Sequence, residues 1–131
     1  MANKATGPKY SRVLVGSDGT DRAGRAVERA VEVARALGAS VTILGVGRGA
    51  KFEAALQRQA DGLAVPGVDV DVRVEEGNPA QVLIDVADRD GYDMLVLGNK
   101  GMSGIERLRL GAVPNKVSHH LPCSLLIVRT A

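Results

Sequence analysis

The chain has 131 residues, a formal net charge of +2, and a hydrophobic content of 45%. This length and composition fit one globular domain and exclude a disordered or fibrous chain. Aromatic residues are restricted to Tyr10, Phe52 and Tyr92 and no long cationic face is evident, which disfavours a protein that binds nucleic acid by stacking bases.

Strands and helices are predicted to alternate along the chain, after a polar and flexible tail at residues 1–9. Short apolar runs predict the strands, and apolar residues at helical spacing predict the helices between them. Residues 68–74 alternate apolar and charged side chains, which is typical of an edge strand with one solvated face. The predicted strands are residues 12–16, 41–46, 68–74, 94–97 and 124–128.

Four helices are predicted between these strands. The first is the clearest, since Gly38 follows it as a natural C-terminal stop. Asn78 is the expected N-cap of the third, with Pro79 at its first position, and Asp90 and Gly91 end it. The first predicted helix is residues 21–37, the second is residues 50–63 and the fourth is residues 112–120.

This order of elements predicts a single α/β domain, residues 10–131, with a doubly wound five-stranded parallel sheet and helices on both faces. With the strand order 3-2-1-4-5, the order reverses between strands 1 and 4. Ligands of such sheets bind outside the carboxyl ends of the strands at that reversal. The two corners that meet there begin at Ser17 and at Gly98.

The stretch after the fourth strand carries the strongest functional signal. Glycines let main-chain N–H groups approach a phosphate closely, and a following helix adds its positive dipole end. Basic side chains lie among these glycines and either screen phosphate charge or are solvated. The glycines and cations are Gly98, Gly101, Gly104, Gly111, Lys100, Arg107 and Arg109. Together with the polar corner after strand 1, they predict a nucleotide site.

The spacing of Gly98, Gly101 and Gly111 resembles the Gly-x2-Gly-x9-Gly signature of the ATP-binding branch of the universal stress protein family. A Ser or Thr follows the third glycine in that signature, and Ala112 stands there in this chain. The resemblance extends over residues 10–130 and includes the first strand with its acidic residue and the closing helix and strand.

The resemblance implies binding of ATP or another adenine nucleotide, alone or with Mg²⁺. Asp18 and the backbone near Val46 would hold adenosine, and the glycine-rich stretch would line the ribose and phosphates. Members commonly dimerise through the last strand, so a homodimer through Ser124–Val128 is expected. The expected nucleotide-binding residues, with their neighbours, are Ser17, Asp18, Gly19, Val46, Gly98, Asn99, Gly101, Met102, Gly104, Gly111, Ala112, Val113 and Pro114.

Ala112 is the departure from the family signature that bears on the ligand. It lacks one hydroxyl hydrogen bond, worth roughly 0.5–1.5 kcal/mol. Backbone N–H groups at the start of the following helix remain available to a phosphate. We therefore expect weaker triphosphate binding, or a preference for AMP or a cyclic nucleotide.

Alternatives stay open for several residues. Asp18 either contacts adenosine or Mg²⁺, or it only caps the following helix. His119 and His120 are adjacent on a predicted helix and point in different directions, so no shared metal is expected. Cys123 is expected to be an inert core thiol, and as the one cysteine it excludes an internal disulfide.

The favoured function is a stress-response nucleotide-binding module with a regulatory role and no catalytic residues. Walker, dinucleotide-binding and nucleophile-elbow motifs are absent from the sequence. Two alternatives stay open: a weak Mg²⁺-dependent ATPase, and a dimeric interaction protein that has lost nucleotide binding. Because neither a membrane-length apolar run nor a secretory signal is evident, we expect a cytoplasmic protein with no membrane or nucleic-acid partner.

Overall fold

The computed structural model describes residues 10–63, 65–99, 121 and 123–130. The described strands are β1 (Arg12–Gly16), β2 (Ser40–Val46), β3 (Val70–Glu75), β4 (Met94–Gly98) and β5 (Ser124–Val128), and the described helices are α1 (Asp21–Leu37), α2 (Ala50–Gly62) and α3 (Pro79–Arg89). The strands form one sheet in the order β3-β2-β1-β4-β5, and every pair is parallel. The predicted fold and strand order are confirmed.

Several predicted boundaries differ from the described elements. The third strand begins at Val70, because Val68 instead donates its N–H to the carbonyl of Val65 across a turn that contains Gly67 at φ 88°. Strand β2 begins one residue earlier than predicted, at Ser40, and α2 ends one residue earlier, at Gly62. The predicted tail at residues 1–9 and the predicted helix at residues 112–120 lie outside the described residues.

Two apolar clusters cover the two faces of the sheet. Val13 and Val15 of β1 enter one cluster, which also contains buried residues of α1 and α2. Leu14, between them, enters the other cluster with buried residues of α3. This alternation follows from strand geometry, in which successive side chains point to opposite faces. With both faces covered, the polar corners at the ends of the strands are left for binding.

Strand β3 lies at the edge of the described sheet, as predicted, but its charged face is only partly solvated. Asp71 is exposed, whereas Arg73 and Glu75 are half-buried. The Arg73 guanidinium donates from Nε to Glu75 Oε2 at 3.0 Å and from Nη1 to Asp90 Oδ2 at 2.5 Å. The bond to Asp90 connects the edge strand to the C-cap of α3, and the bond to Glu75 lies within the strand.

The bond between Arg73 and Asp90 predicts acid-sensitive stability. The hydrogen bond from Arg73 holds the pKa of the Asp90 carboxyl below its ordinary value of 3.8. A carboxyl of this kind stabilises the fold above its unfolded pKa, and this stabilisation is lost as pH falls through its folded-state pKa. We therefore expect Asp90→Asn to lower Tm near neutral pH. The difference from wild type should shrink as pH falls below 3.8.

Thermal unfolding across this pH range measures the effect. Asp71→Asn, at an exposed carboxyl of the edge strand β3, is the matched control and should change Tm little at any pH. A loss of Tm in Asp90→Asn that is the same at acidic and neutral pH would contradict the assignment.

Candidate functional site

The corner after β1 is held by hydrogen bonds that begin at a buried serine. The hydroxyl of Ser17 donates to Gln59 Oε1 at 2.7 Å and accepts from the Gly19 N–H at 3.0 Å. Gln59 Nε2 also donates to the carbonyl of Thr20 at 3.0 Å. One side chain of α2 therefore bonds to the corner on both sides of Asp18.

Asp18 is half-buried, and one of its carboxylate oxygens is fixed by Thr20. Oδ1 accepts from the Thr20 N–H at 3.0 Å and from the Thr20 hydroxyl at 2.6 Å. Thr20 in turn caps α1, since its Oγ1 accepts from the Ala23 N–H at 3.2 Å. Asp18 thus orients the capping residue and does not itself cap the helix. No described residue bonds to its Oδ2, which is available to a ligand.

The end of β2 lies beside this corner. The Ser17 N–H donates to the carbonyl of Leu44 at 3.0 Å, two residues before Val46 ends the strand. Val46 is half-buried and packs against the cluster on the α3 face of the sheet. The two residues expected to hold adenosine, Asp18 and Val46, therefore lie at the carboxyl ends of neighbouring strands.

The end of β4 is covered by the segment that follows β5. A Cβ placed on Gly98 would lie 2.9 Å from Thr130 Cγ2, so this close approach requires glycine. Asn99 Oδ1 accepts from the Thr130 N–H at 2.9 Å and from its hydroxyl at 3.1 Å. Thr130 is 1% exposed, and Arg25 of α1 donates to its carbonyl at 2.9 Å. The side-chain oxygen of Asn99 is therefore bonded within the fold.

The sheet brings the two predicted corners together at the carboxyl ends of its strands. Strands β1 and β4 pair in parallel, with Leu14 opposite Leu95, so Asp18 and Asn99 both follow carboxyl ends of neighbouring strands. The glycine-rich part of the predicted site lies outside the described residues. The predicted nucleotide-binding residues in that part are Gly101, Met102, Gly104, Gly111, Ala112, Val113 and Pro114.

Cavities of the described residues lie beside these carboxyl ends, over α2. One of them, of about 760 Å³, lies between α2 and β3 and includes the side chains of Arg48, Glu53, Glu75 and Glu76 in its lining. Three carboxylates against one guanidinium make it unsuited to a phosphate. A groove of about 510 Å³ runs between α1 and α2 and reaches Gly19 at the first corner.

Metal and thiol chemistry have no support in the described part of the chain. It contains no group of three or more His, Cys, Asp or Glu side chains that could hold a metal ion, and His119 and His120 lie outside it. Burial, aided by the negative charge of Asp93, raises the pKa of the Cys123 thiol, which disfavours the reactive thiolate. Within the same part, none of the helices is both long enough and apolar enough to cross a bilayer.

Comparison with known families decides the identity of the domain. The model of the universal stress protein family matches residues 9–57 and 45–129. The chain belongs to the universal stress protein family. The resemblance stated from the sequence is confirmed at the level of the family, and membership of the ATP-binding branch stays a prediction.

Individual proteins are similar to this chain over almost their full length. Universal stress protein YxiE of Bacillus subtilis is 28% identical over 92% of this chain and 99% of its own. A universal stress protein crystallised in complex with cAMP is 37% identical, with a TM-score of 0.79 over 95% of this chain and 100% of that one. A protein from Mycobacterium tuberculosis H37Rv is 36% identical, with a TM-score of 0.66 over 95% and 98% of the two chains.

Proposed function

We propose that this universal stress protein binds an adenine nucleotide at the corners after β1 and β4 and acts as a nucleotide-responsive regulatory module. The observation that carries the proposal is the Asp18 carboxylate, half-buried at the strand reversal and fixed through one oxygen by Thr20. Its other oxygen has no bond to a described residue. Ligands of doubly wound sheets bind at this place.

The charge of Asp18 indicates which part of a nucleotide it would contact. A carboxylate accepts hydrogen bonds, so it suits the donors of a nucleoside, which are the ribose hydroxyls and the exocyclic amine of adenine. It repels phosphate, which belongs instead with the glycine-rich and basic stretch after β4. A nucleotide that spans the two corners therefore has its nucleoside near Asp18.

Two observations favour a nucleotide with few phosphates. Ala112 lacks the hydroxyl that follows the third glycine in the family signature, so one donor to the phosphates is missing. The relative that is 37% identical was crystallised in complex with cAMP. We therefore place cyclic AMP or AMP ahead of ATP as the ligand, and binding ahead of hydrolysis as the activity.

The second candidate function is a dimeric interaction protein, and the edge position and half-buried apolar side chains of β5 favour it. Strand β5 pairs with β4 on one side and is the other edge of the described sheet. Leu125, Leu126 and Ile127 are only half-buried there. An apolar edge strand is a template for pairing with a second copy, which buries its side chains and satisfies its backbone groups.

Nucleotide release and titration test the proposed function. The protein as purified is heated, released nucleotide is identified by mass spectrometry, and cyclic AMP, AMP and ATP are titrated by calorimetry. We expect the protein to bind an adenine nucleotide, and we expect ATP to bind more weakly than cyclic AMP and AMP. Ala112→Ser should strengthen ATP binding by about 2- to 10-fold, the equivalent of one hydroxyl hydrogen bond.

The outcomes separate the candidates. Sub-micromolar ATP affinity that Ala112→Ser leaves unchanged would contradict the preference for few phosphates. ADP release that depends on Mg²⁺ would indicate the weak ATPase. A protein that binds none of the three nucleotides and is dimeric by sedimentation would favour the interaction protein.

A further inference from the structure

Helix α2 contacts the corner of Asp18 at two points, one helical turn apart. Gln59 bonds to the Ser17 hydroxyl on one side of Asp18 and to the Thr20 carbonyl on the other. Ala55 packs against Gly19 so closely that a Cβ there would lie 2.8 Å from the Ala55 Cβ. Because protein interiors are close-packed, the corner and this half of α2 are constrained to move together.

The first turns of α2 contact the other segment that is expected to hold adenosine. A Cβ built on Gly45 would lie 2.7 Å from Phe52 Cζ, and one on Gly47 would lie 3.1 Å from Phe52 Cε2. The ring of Phe52 therefore covers the backbone on both sides of Val46. The Val46 side chain packs on the opposite face of the sheet, so a ligand and α2 both act on the same backbone.

We infer that α2 is the element that responds to nucleotide, and that Gln59 is the positioning residue that couples it to Asp18. The inference rests on the proposed function and goes beyond it, because it names the element that transmits binding. A side chain that bonds to the Ser17 hydroxyl and to the Thr20 carbonyl constrains the residues on both sides of Asp18, and hence the direction of its carboxylate. A ligand that draws Asp18 into a new position must move α2 or break these two bonds.

This coupling also reaches the protein surface. The outward face of α2 is polar and exposed, with Glu53, Gln57, Arg58 and Asp61 among its residues. A shift of the helix moves this face relative to the edge strand β3, across the cavity that the two elements line. Nucleotide binding would thereby alter the surface that a partner contacts, which is what a regulatory module requires.

The alternative is that Gln59 only satisfies the buried hydroxyl of Ser17. A structural role of this kind lowers stability when the side chain is removed but does not couple energetically to Asp18. If Gln59 is a positioning residue, removing its side chain lowers nucleotide affinity, and the size of this loss depends on whether the Asp18 carboxylate is present. The two roles therefore differ in a double-mutant cycle.

The test uses Gln59→Leu in the full chain, with Gln57→Leu as the matched control. Gln57 is exposed on the same helix and bonds only to Asp61 among the described residues, at 2.9 Å. Affinity for cyclic AMP is measured by calorimetry in wild type, in both Leu variants, in Asp18→Asn, and in the double variant. We expect Gln59→Leu to weaken binding by about fivefold or more, a typical coupling between linked sites. Gln57→Leu should bind as wild type does.

The change in hydrogen exchange that cyclic AMP produces, measured within each variant with and without the ligand, provides a second readout. Cyclic AMP should increase the protection of α2 amides between residues 55 and 62 in wild type, and this increase should be lost in Gln59→Leu. In the double-mutant cycle, Gln59→Leu should weaken cyclic AMP binding much less in the Asp18→Asn background than in wild type. Wild-type affinity in Gln59→Leu, or additive losses in the double variant, would overturn the inference while the proposed function stands. Failure of wild type to bind AMP, ATP or cyclic AMP would overturn both.

Discussion

Gly45→Val is expected to lower the free energy of unfolding by about 3 kcal/mol, at the upper end of the usual cost of overpacking. Gly45 is a buried residue of β2. A Cβ there would overlap Leu56 Cδ1 and lie 2.7 Å from Phe52 Cζ. Leu56 is completely buried in the core and has no room to move aside. Denaturant unfolding monitored by circular dichroism measures the loss, which corresponds to roughly 10 °C in Tm.

Gly62→Ala is the control, because Gly62 lies in the last turn of α2, the helix that packs on Gly45, and a Cβ there meets nothing within 4 Å. Ala is the better helix former by about 1 kcal/mol, so this variant should be as stable as wild type or slightly more stable. If Gly45→Val unfolds at the wild-type denaturant concentration, the close packing of α2 on β2 is contradicted. The same result would weaken the inference that α2 responds to ligand through this contact.

Much of the fold was predictable because it depends on local patterns. Alternating apolar runs and helical periodicities predicted the strand and helix order, and the capping residues Asn78 and Pro79 fixed the start of α3. Gly38, with φ 70°, ends α1 as predicted. The partial burial of the charged face of β3 has a long-range cause. Arg73 and Asp90 are 17 residues apart, and no local pattern in residues 68–74 shows that their pairing would cover the charged face.

The residues that hold the site together were not predictable for the same reason. Gln59 lies 42 residues from Ser17, on the polar side of an amphipathic helix, where an uncharged amide resembles any solvated side chain. Thr130 lies 31 residues from Asn99, in a short segment after the last strand that carries no motif. Motifs identified the backbone corners, whereas the contacts that orient Asp18 depend on tertiary packing. Asp18 itself was named from the sequence, but the role of Thr20 as the cap was not.

Asp18→Asn is expected to weaken adenine-nucleotide binding by about 10- to 100-fold, which corresponds to the loss of a hydrogen bond to a charged group. Asn retains an oxygen that can accept from the Thr20 N–H and hydroxyl, at 3.0 and 2.6 Å in wild type, so the cap of α1 is preserved. The second oxygen becomes an NH2 group, which cannot accept from a ribose hydroxyl or an adenine amine. Calorimetry with cyclic AMP and a thermal melt of each variant measure the two effects separately.

Asp21→Asn separates the position of the carboxylate from its charge. Asp21 is exposed in the first turn of α1, three residues from Asp18, and its substitution makes the same change in net charge. If the carboxylate of Asp18 contacts the nucleoside, Asp21→Asn should bind within about twofold of wild type, because exposed charges are well screened in salt. Equal losses in the two variants would indicate a general electrostatic effect at the corner. If only Asp18→Asn loses nucleotide affinity and its Tm is unchanged, we infer a direct bond from Oδ2 to the ligand. The nucleoside then lies on the β1 side of the crevice.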